Sequence, residues 1–251
     1  KMETLFGVSP VDGLAMWTAD SDYPSPDCVR NVLRAAADHG VFGYYSDYDP
    51  YHRAIQWWME PRHSWKIDPS WVFTTHGLVN GTAMCVDAFT APGDGVVLFT
   101  PVYHAFAKVI NASGRKVVEC NLNNDGGRYE FDFDAYDAQM TGNERMVILC
   151  SPHNPGGRVW TRGELQAVAA FAKRHSLILV SDEIHHDLTF PGHTHIPMAH
   201  IEGIEDRLVM MTATTKTFNI AGSHSGNVII QDPDLRARFG ARMAAMGLSP
   251  N

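Results

Sequence analysis

The sequence has no C-x-x-C pair: Cys28, Cys85, Cys120 and Cys150 are scattered along its 251 residues. That spacing excludes a zinc knuckle and offers no disulfide framework, so a reducing compartment, the cytoplasm, is the expected setting. Basic residues are also in short supply. Twenty Lys and Arg against 28 Asp and Glu leave a net charge of −8, so no basic stripe can neutralise phosphates and nucleic acid is not an expected partner. No apolar run reaches membrane-spanning length; "GVVLFT" (95–100) is strand-sized, and the opening "KMETLFGVSP" lacks the apolar core of a signal peptide. Neither a P-loop nor a G-x-G-x-x-G fingerprint occurs, which leaves nucleotide binding without support. Internal repeats and low-complexity tracts are missing too.

What is present suits one large domain or two modest ones: 45% of residues are hydrophobic and 19% charged, enough for a sizeable core. "SPDCVRNVLRAAADHG" predicts a helix capped by Ser25 or Asp27 and stopped by Gly40, and "PYHRAIQWWMEPRHSW" a second, Trp-rich one. From residue 71 a regular alternation begins. "WVFTT", "GVVLFT", "KVVEC", "RMVILCS", "LILVSDE", "RLVMMTA" and "NVIIQD" read as strands. Helical patterns such as "GLVNGTAMCVDAFTA", "YHAFAKVINAS" and "RGELQAVAAFAKRHS" separate several of them. Apolar strands between amphipathic helices predict an α/β fold, a mostly parallel sheet flanked by helices. Residues 1–45 carry no such strand and are expected to pack outside the sheet formed by residues 46–251. The last helical stretch, "DPDLRARFGARMAAM", capped by Asp232 or Asp234, is expected to leave the sheet for another domain, so the chain reads as a fragment.

Open α/β sheets bind ligands beyond the carboxyl ends of their strands. Those ends carry "TTHGLVNG", "TPVYHAF", "SPHNPGGRVW", "SDEIHHD" and "TATTKTFNIAG". Each is ambiguous alone. "HGLVNG" is a strand-to-helix turn that also offers free N–H groups for an anion; "SPHNPGG" has the composition of a plain turn. Lys216 sits among hydroxyls with no other charge nearby.

Taken together and in order, "MWTADSDYPSP", "VFGYYSDY", "PGDGVVLFTPVYHAF", "SPHNPGGRVW", "SDEIHHDLTF" and "TKTFNIAG" resemble the fold-type I pyridoxal-phosphate enzymes of the class I/II aminotransferase superfamily. Within it the likeness is to the cystathionine β-lyase, or cysteine-S-conjugate β-lyase, branch, from Met16 to the end. The resemblance implies pyridoxal 5'-phosphate as cofactor, with Lys216 bonded to its aldehyde and shuttling the substrate Cα proton. Asp182 would pair with the pyridine nitrogen and keep it protonated. Asn154 would hydrogen-bond the ring hydroxyl oxygen, His185 would take the place of a Tyr that faces that oxygen in many aminotransferases, and Tyr103 would stack on the ring. The phosphate would rest on the amides of Gly77, Leu78 and Val79, aided by hydroxyls among Thr212, Thr214 and Thr215. Tyr44 would reach a partner subunit's phosphate in a homodimer, and Trp17 and Tyr23 would line the substrate entrance. Two departures stand out. His224 occupies the place of an Arg found in many relatives eight residues after the lysine, and the family's C-terminal domain, with its carboxylate-binding Arg, lies outside these residues.

For "SDEIHHD" a metal site is the competing reading, with His185, His186 and Asp187, and perhaps His193 and His195, as ligands. Adjacent side chains of a strand point to opposite faces, which argues against His185 and His186 sharing an ion, and no metal is expected. A charged Asp182 after "LILV" needs a cationic partner, which a protonated pyridine supplies. His76, His104 and His153 read equally as solvated loop residues or substrate contacts, and Trp57, Trp58 and Trp65 as core or interface aromatics. The expected activity is cleavage of cystathionine or other cysteine S-conjugates, without a nucleic-acid or membrane partner. An aminotransferase is the alternative, and a non-catalytic cofactor-binding regulator a more remote one.

Overall fold

A computed structural model gives the fold and describes residues 2–9, 11–14, 18–19, 21–44 and 47–248. Strand residues alternate between two cores. Val96, Leu98, Met146, Ile148, Val180, Val209 and Met211 face one; Val97, Phe99, Val147, Leu149, Leu179 and Met210 face the other. Side chains with a period of two, both sets apolar, place the sheet between two helical layers.

The strands of the described residues are β1 (Val72–Thr75), β2 (Gly95–Thr100), β3 (Lys116–Asn121), β4 (Asn123–Asp125), β5 (Arg128–Glu130), β6 (Glu144–Cys150), β7 (Ile178–Asp182), β8 (Leu208–Thr212) and β9 (Gly226–Ile229). Strands β4 and β5 form a small separate hairpin, and the other seven make one sheet in the order β1-β9-β8-β7-β6-β2-β3. The β2–β3, β2–β6, β6–β7 and β7–β8 pairings are parallel, whereas β8–β9 and β9–β1 are antiparallel. Strand β9 therefore runs against the rest. Its first residue, Gly226, is paired with Thr75, the last residue of β1, so its start lies at the edge where β1, β6, β7 and β8 end.

Helices α3 (Asp49–His63), α6 (Phe133–Gln139) and α7 (Arg162–Arg174) cover one face. Helices α4 (Leu78–Phe89), α5 (His104–Ala112) and α8 (Pro233–Ala245) cover the other. Helix α7 starts where the sequence supplies a reciprocal cap: Thr161 Oγ1 accepts from Glu164 N, and the Glu164 carboxylate accepts from Thr161 N at 2.8 Å. Helix α8 begins at Asp232, whose Oδ1 accepts from the amides of Asp234 and Leu235. It does not leave the sheet as expected. Leu235 and Phe239 are buried, and the Phe239 ring lies 5.0 Å from that of Phe73, because the apolar side of α8 completes the core beside α4.

The N-terminal elements α1 (Met2–Phe6) and α2 (Asp27–His39) contain no buried residue. Helix α2 ends at Gly40 in the left-handed region (φ 70°) as the sequence predicts, but neither expected cap closes its start. Asp27 lies inside the first turn and pairs with Arg30, and Ser25 Oγ donates instead to Asn219 O. No helix of the described residues is long and apolar enough to cross a membrane.

The aromatic cluster under β2 gives a test of the packing. Phe171 is fully buried with its ring 5.7 Å from Phe133 and 6.2 Å from Phe99. Phe171→Ala should cost about 3–5 kcal/mol of unfolding free energy in a urea titration.

Candidate active site

A cavity of about 930 Å³ opens at the strand-end edge. It is lined by Gly77, Leu78, Val79, Tyr103, Asn154, Asp182, His185, Thr215 and Lys216, nine residues marked by the sequence. They come from five distant stretches of chain, gathered because β1, β2, β6, β7 and β8 all point their ends the same way.

Asp182 closes β7 and is buried. Its carboxylate accepts one backbone hydrogen bond, from Ile184 N at 3.1 Å. Among the described residues no cationic side chain forms an ion pair with it. Burial, only partly offset by the Ile184 amide, pushes its pKa up to about 7, and the charge of Glu183 adds to the rise. The site therefore has a place for a positively charged group beside Asp182. Lys216 lines the same cavity, half-buried in the turn after β8, its Nζ donating to Ala19 O at 3.3 Å.

His185 has its pKa lowered by burial and by the charges of Lys216 and His186, so its imidazole is neutral at physiological pH. Burial and the Asp182 charge raise the Tyr103 phenol. The backbone N–H of Asn154 donates to Cys150 Sγ at 3.3 Å; burial pushes that thiol up and keeps it unreactive.

The turn from β1 into α4 is the candidate anion site, with one change from expectation. Gly77 adopts φ +81° and its N–H is spent on Thr75 O at 2.8 Å, so it is not available to a ligand. Among the described residues the N–H groups of Leu78 and Val79, in the first turn of α4, have no acceptor, and that turn has no side-chain cap. The turn is pressed against β9. A Cβ built on Gly226 would stand 2.6 Å from Leu78 Cδ2 and 3.0 Å from Gly77 C, so only glycine lets β9 approach this closely. His224 lines the cavity next to Gly77.

Other placements differ. Thr212 and Thr214 line a second cavity of about 220 Å³, with Tyr51, Trp58 and Phe218, because the strand direction turns both toward α3; of the three hydroxyls, Thr215 alone reaches the strand-end cavity. Residues 184–187 form a turn, not a strand. His185 and His186 still diverge, His185 into the large cavity and His186 into the small one, but through that turn. His153 is not solvated: it is buried, with Nε2 2.9 Å from Pro101 O. Trp65 is buried in the core, whereas Trp57 is exposed under the guanidinium of Arg62. Tyr44 is fully exposed, and Trp17 lies outside the described residues.

Sequence reasoning assigned no role to Asn219, in the left-handed region at φ 52°. Its amide holds Ser21 O at 2.9 Å and Tyr23 O at 2.8 Å, docking the N-terminal segment onto the Lys216 turn. An Asn inside "TKTFNIAG" was the available signal, since Asn tolerates such backbone.

The class I and II aminotransferase family model matches residues 16–248. The chain belongs to that family. It is 38% identical over 250 residues to cystathionine beta-lyase PatB of Bacillus subtilis, covering 99% of this chain and 64% of PatB. The structure superposes on cystalysin from Treponema denticola, whose crystal structure contains pyridoxal 5'-phosphate, with a TM-score of 0.88 and 38% identity over 93% of this chain and 60% of cystalysin. A pyridoxal-phosphate-bound C-S lyase from Staphylococcus hominis matches at a TM-score of 0.86 and 31% identity, over 91% of this chain and 59% of that one. The chain thus spans less than two thirds of these relatives.

Two outcomes follow from the geometry. Gly226→Ala should lower stability by about 1–3 kcal/mol and weaken binding of inorganic phosphate measured by calorimetry. A buried acid whose folded pKa exceeds its unfolded one stabilises the fold most below the unfolded value and loses this as pH rises. The stability of the ligand-free protein relative to Asp182→Asn should therefore fall between about pH 4 and pH 7, by at most about 1.4 kcal/mol per pH unit, in denaturant titrations.

Proposed function

We propose that the chain is the cofactor-binding part of a pyridoxal 5'-phosphate-dependent C–S β-lyase, which cleaves cystathionine or other cysteine S-conjugates to a thiol, pyruvate and ammonia. The observation that carries it is a single cavity lined both by the amine of Lys216 and by a buried carboxylate, Asp182, that forms no ion pair with a cationic side chain among the described residues. The likeness to PatB and to the C-S lyases favours this reaction within the family.

When bound, the cofactor supplies an electron sink for the pair left at the substrate Cα. Asp182 fits as partner of the protonated ring nitrogen: an ion pair there would offset its buried charge. Leu78 and Val79 N–H and the Thr215 hydroxyl fit the phosphate, Tyr103 the ring face, and Asn154 and the neutral His185 the ring hydroxyl side. Lys216 would be the residue that holds the cofactor covalently, and its amine would be the base that takes the Cα proton. The electron pair left at Cα would form the Cα–Cβ bond as the Cβ–S bond breaks, the thiolate would take up the proton, and water would complete the reaction to pyruvate and ammonia. The exposed Tyr44 supports a homodimer in which it serves the partner's phosphate. A cytoplasmic enzyme is the setting that fits four unpaired cysteines.

An aminotransferase uses the same cradle and differs after the proton leaves Cα. In full-length protein given cystathionine, pyruvate should form and Lys216→Ala should abolish it. Borohydride reduction should mark Lys216. Amino-group transfer without pyruvate would establish the aminotransferase instead.

A further inference from the structure

Behind the cavity, a second carboxylate gathers three separate pieces of chain. Asp187 lies on the turn after β7 and is nearly buried. It accepts Trp58 Nε1–H at 3.0 and 3.1 Å and Thr217 Oγ1–H at 2.7 Å. His63 Nε2 lies 2.7 Å from Oδ1 and His186 Nε2 3.3 Å from Oδ2. Trp58 and His63 belong to α3, and Thr217 directly follows Lys216. Ligand atoms of His63, His186 and Asp187 lie within 4.8 Å of one another, near enough to raise the question of an ion. A carboxylate offers about four lone-pair positions, and these four donors fill them, so a hydrogen-bonded hub accounts for every contact. Burial opposes the charge, but hydrogen bonds from His186, His63 and Thr217 hold the carboxyl well below the usual range and keep it ionised.

The hub sits at a decisive place. Asp182 and His185 are borne by the chain that ends in Asp187, held by turn bonds His186 N to Glu183 O (3.0 Å) and Leu188 N to His185 O (2.8 Å). Lys216 is borne by the chain that continues into Thr217. The Asp187–Thr217 bond joins the two directly, and the Phe218 ring, 5.0 Å from Trp58, seats the same loop on α3. We propose that Asp187 is a positioning residue, which through Thr217 fixes the Lys216 backbone against the turn that carries Asp182 and His185. The proposal rests on the assignment of Lys216 and Asp182 to the cofactor.

The test uses the full-length protein with its cofactor bound. Thr217→Val removes only the donor, and Thr217→Ser should restore it. Thr217→Val should lower kcat for pyruvate release by about tenfold to a hundredfold with KM little changed. It should also shift the midpoint at which the visible band of the lysine-bound cofactor titrates with pH, and Thr217→Ser should return both to wild type. Asp187→Asn should move both in the same direction; if it fails to fold, Thr217→Val decides. Wild-type kcat and band midpoint in Thr217→Val with an unchanged melting temperature would overturn the proposal. Borohydride reduction of the unaltered protein separates the two readings. Label on a lysine other than Lys216 overturns the cofactor assignment, whereas label on Lys216 with wild-type behaviour of Thr217→Val overturns the tether alone.

Discussion

A carboxylate is buried at the end of a strand whose neighbours are almost entirely apolar, and among the described residues no cationic side chain forms an ion pair with it. Asp182 follows Val180 and Ser181, all buried, and takes one amide hydrogen bond. Left alone it drifts toward the neutral acid, with a pKa near 7. A cationic ring nitrogen beside it, as proposed, would reverse that tendency, and the same proximity would keep the ring nitrogen protonated. Under that proposal fold and chemistry are coupled through one group: the buried charge costs stability in the empty protein, and a cationic ligand would offset that cost.

The sheet topology supplies the rest of the cradle. Parallel strands align their carboxyl ends, so loops far apart in sequence converge without long excursions. The reversed β9 adds a second constraint. Because it enters the sheet from the ligand edge, its first residue must fit beneath the turn that presents the Leu78 and Val79 amides, and Gly226 is the residue without a side chain to obstruct it. On the far side of the Lys216 turn, Asn219 holds the N-terminal segment while Asp187 holds α3 and the turn after β7. The lysine backbone is thus bounded on both sides by polar contacts rather than by apolar packing alone.

The alternating apolar strands announced the α/β class, since burial on both faces leaves few polar positions in a strand. The site was legible for a related reason: Asp182, Lys216, Asn154 and the Gly77 turn are chemically unusual for their surroundings, and their order along the chain is distinctive. Local features governed by hydrogen-bond partners were harder to read. The Gly77 amide looked free until the fold bent it back to Thr75 O. Three neighbouring threonines were equivalent on paper, and only the direction of the chain leaving β8 assigned them to different cavities. His185 and His186 were rightly separated, but by a turn that no strand pattern predicts.

By itself, the sequence determined which side chains can bear the chemistry, and that they lie at strand ends, because residue type and hydrophobic period are local properties. Tertiary structure alone decided which of those groups share a cavity, which amides remain free, and that Asp187 clasps Thr217, since each depends on distances between segments that are remote in the chain. Burial made the final distinction. Asp182 and Asp187 are both aspartates five positions apart, yet burial raises the pKa of one, while the other gathers donors from α3 and the Lys216 loop and stays ionised.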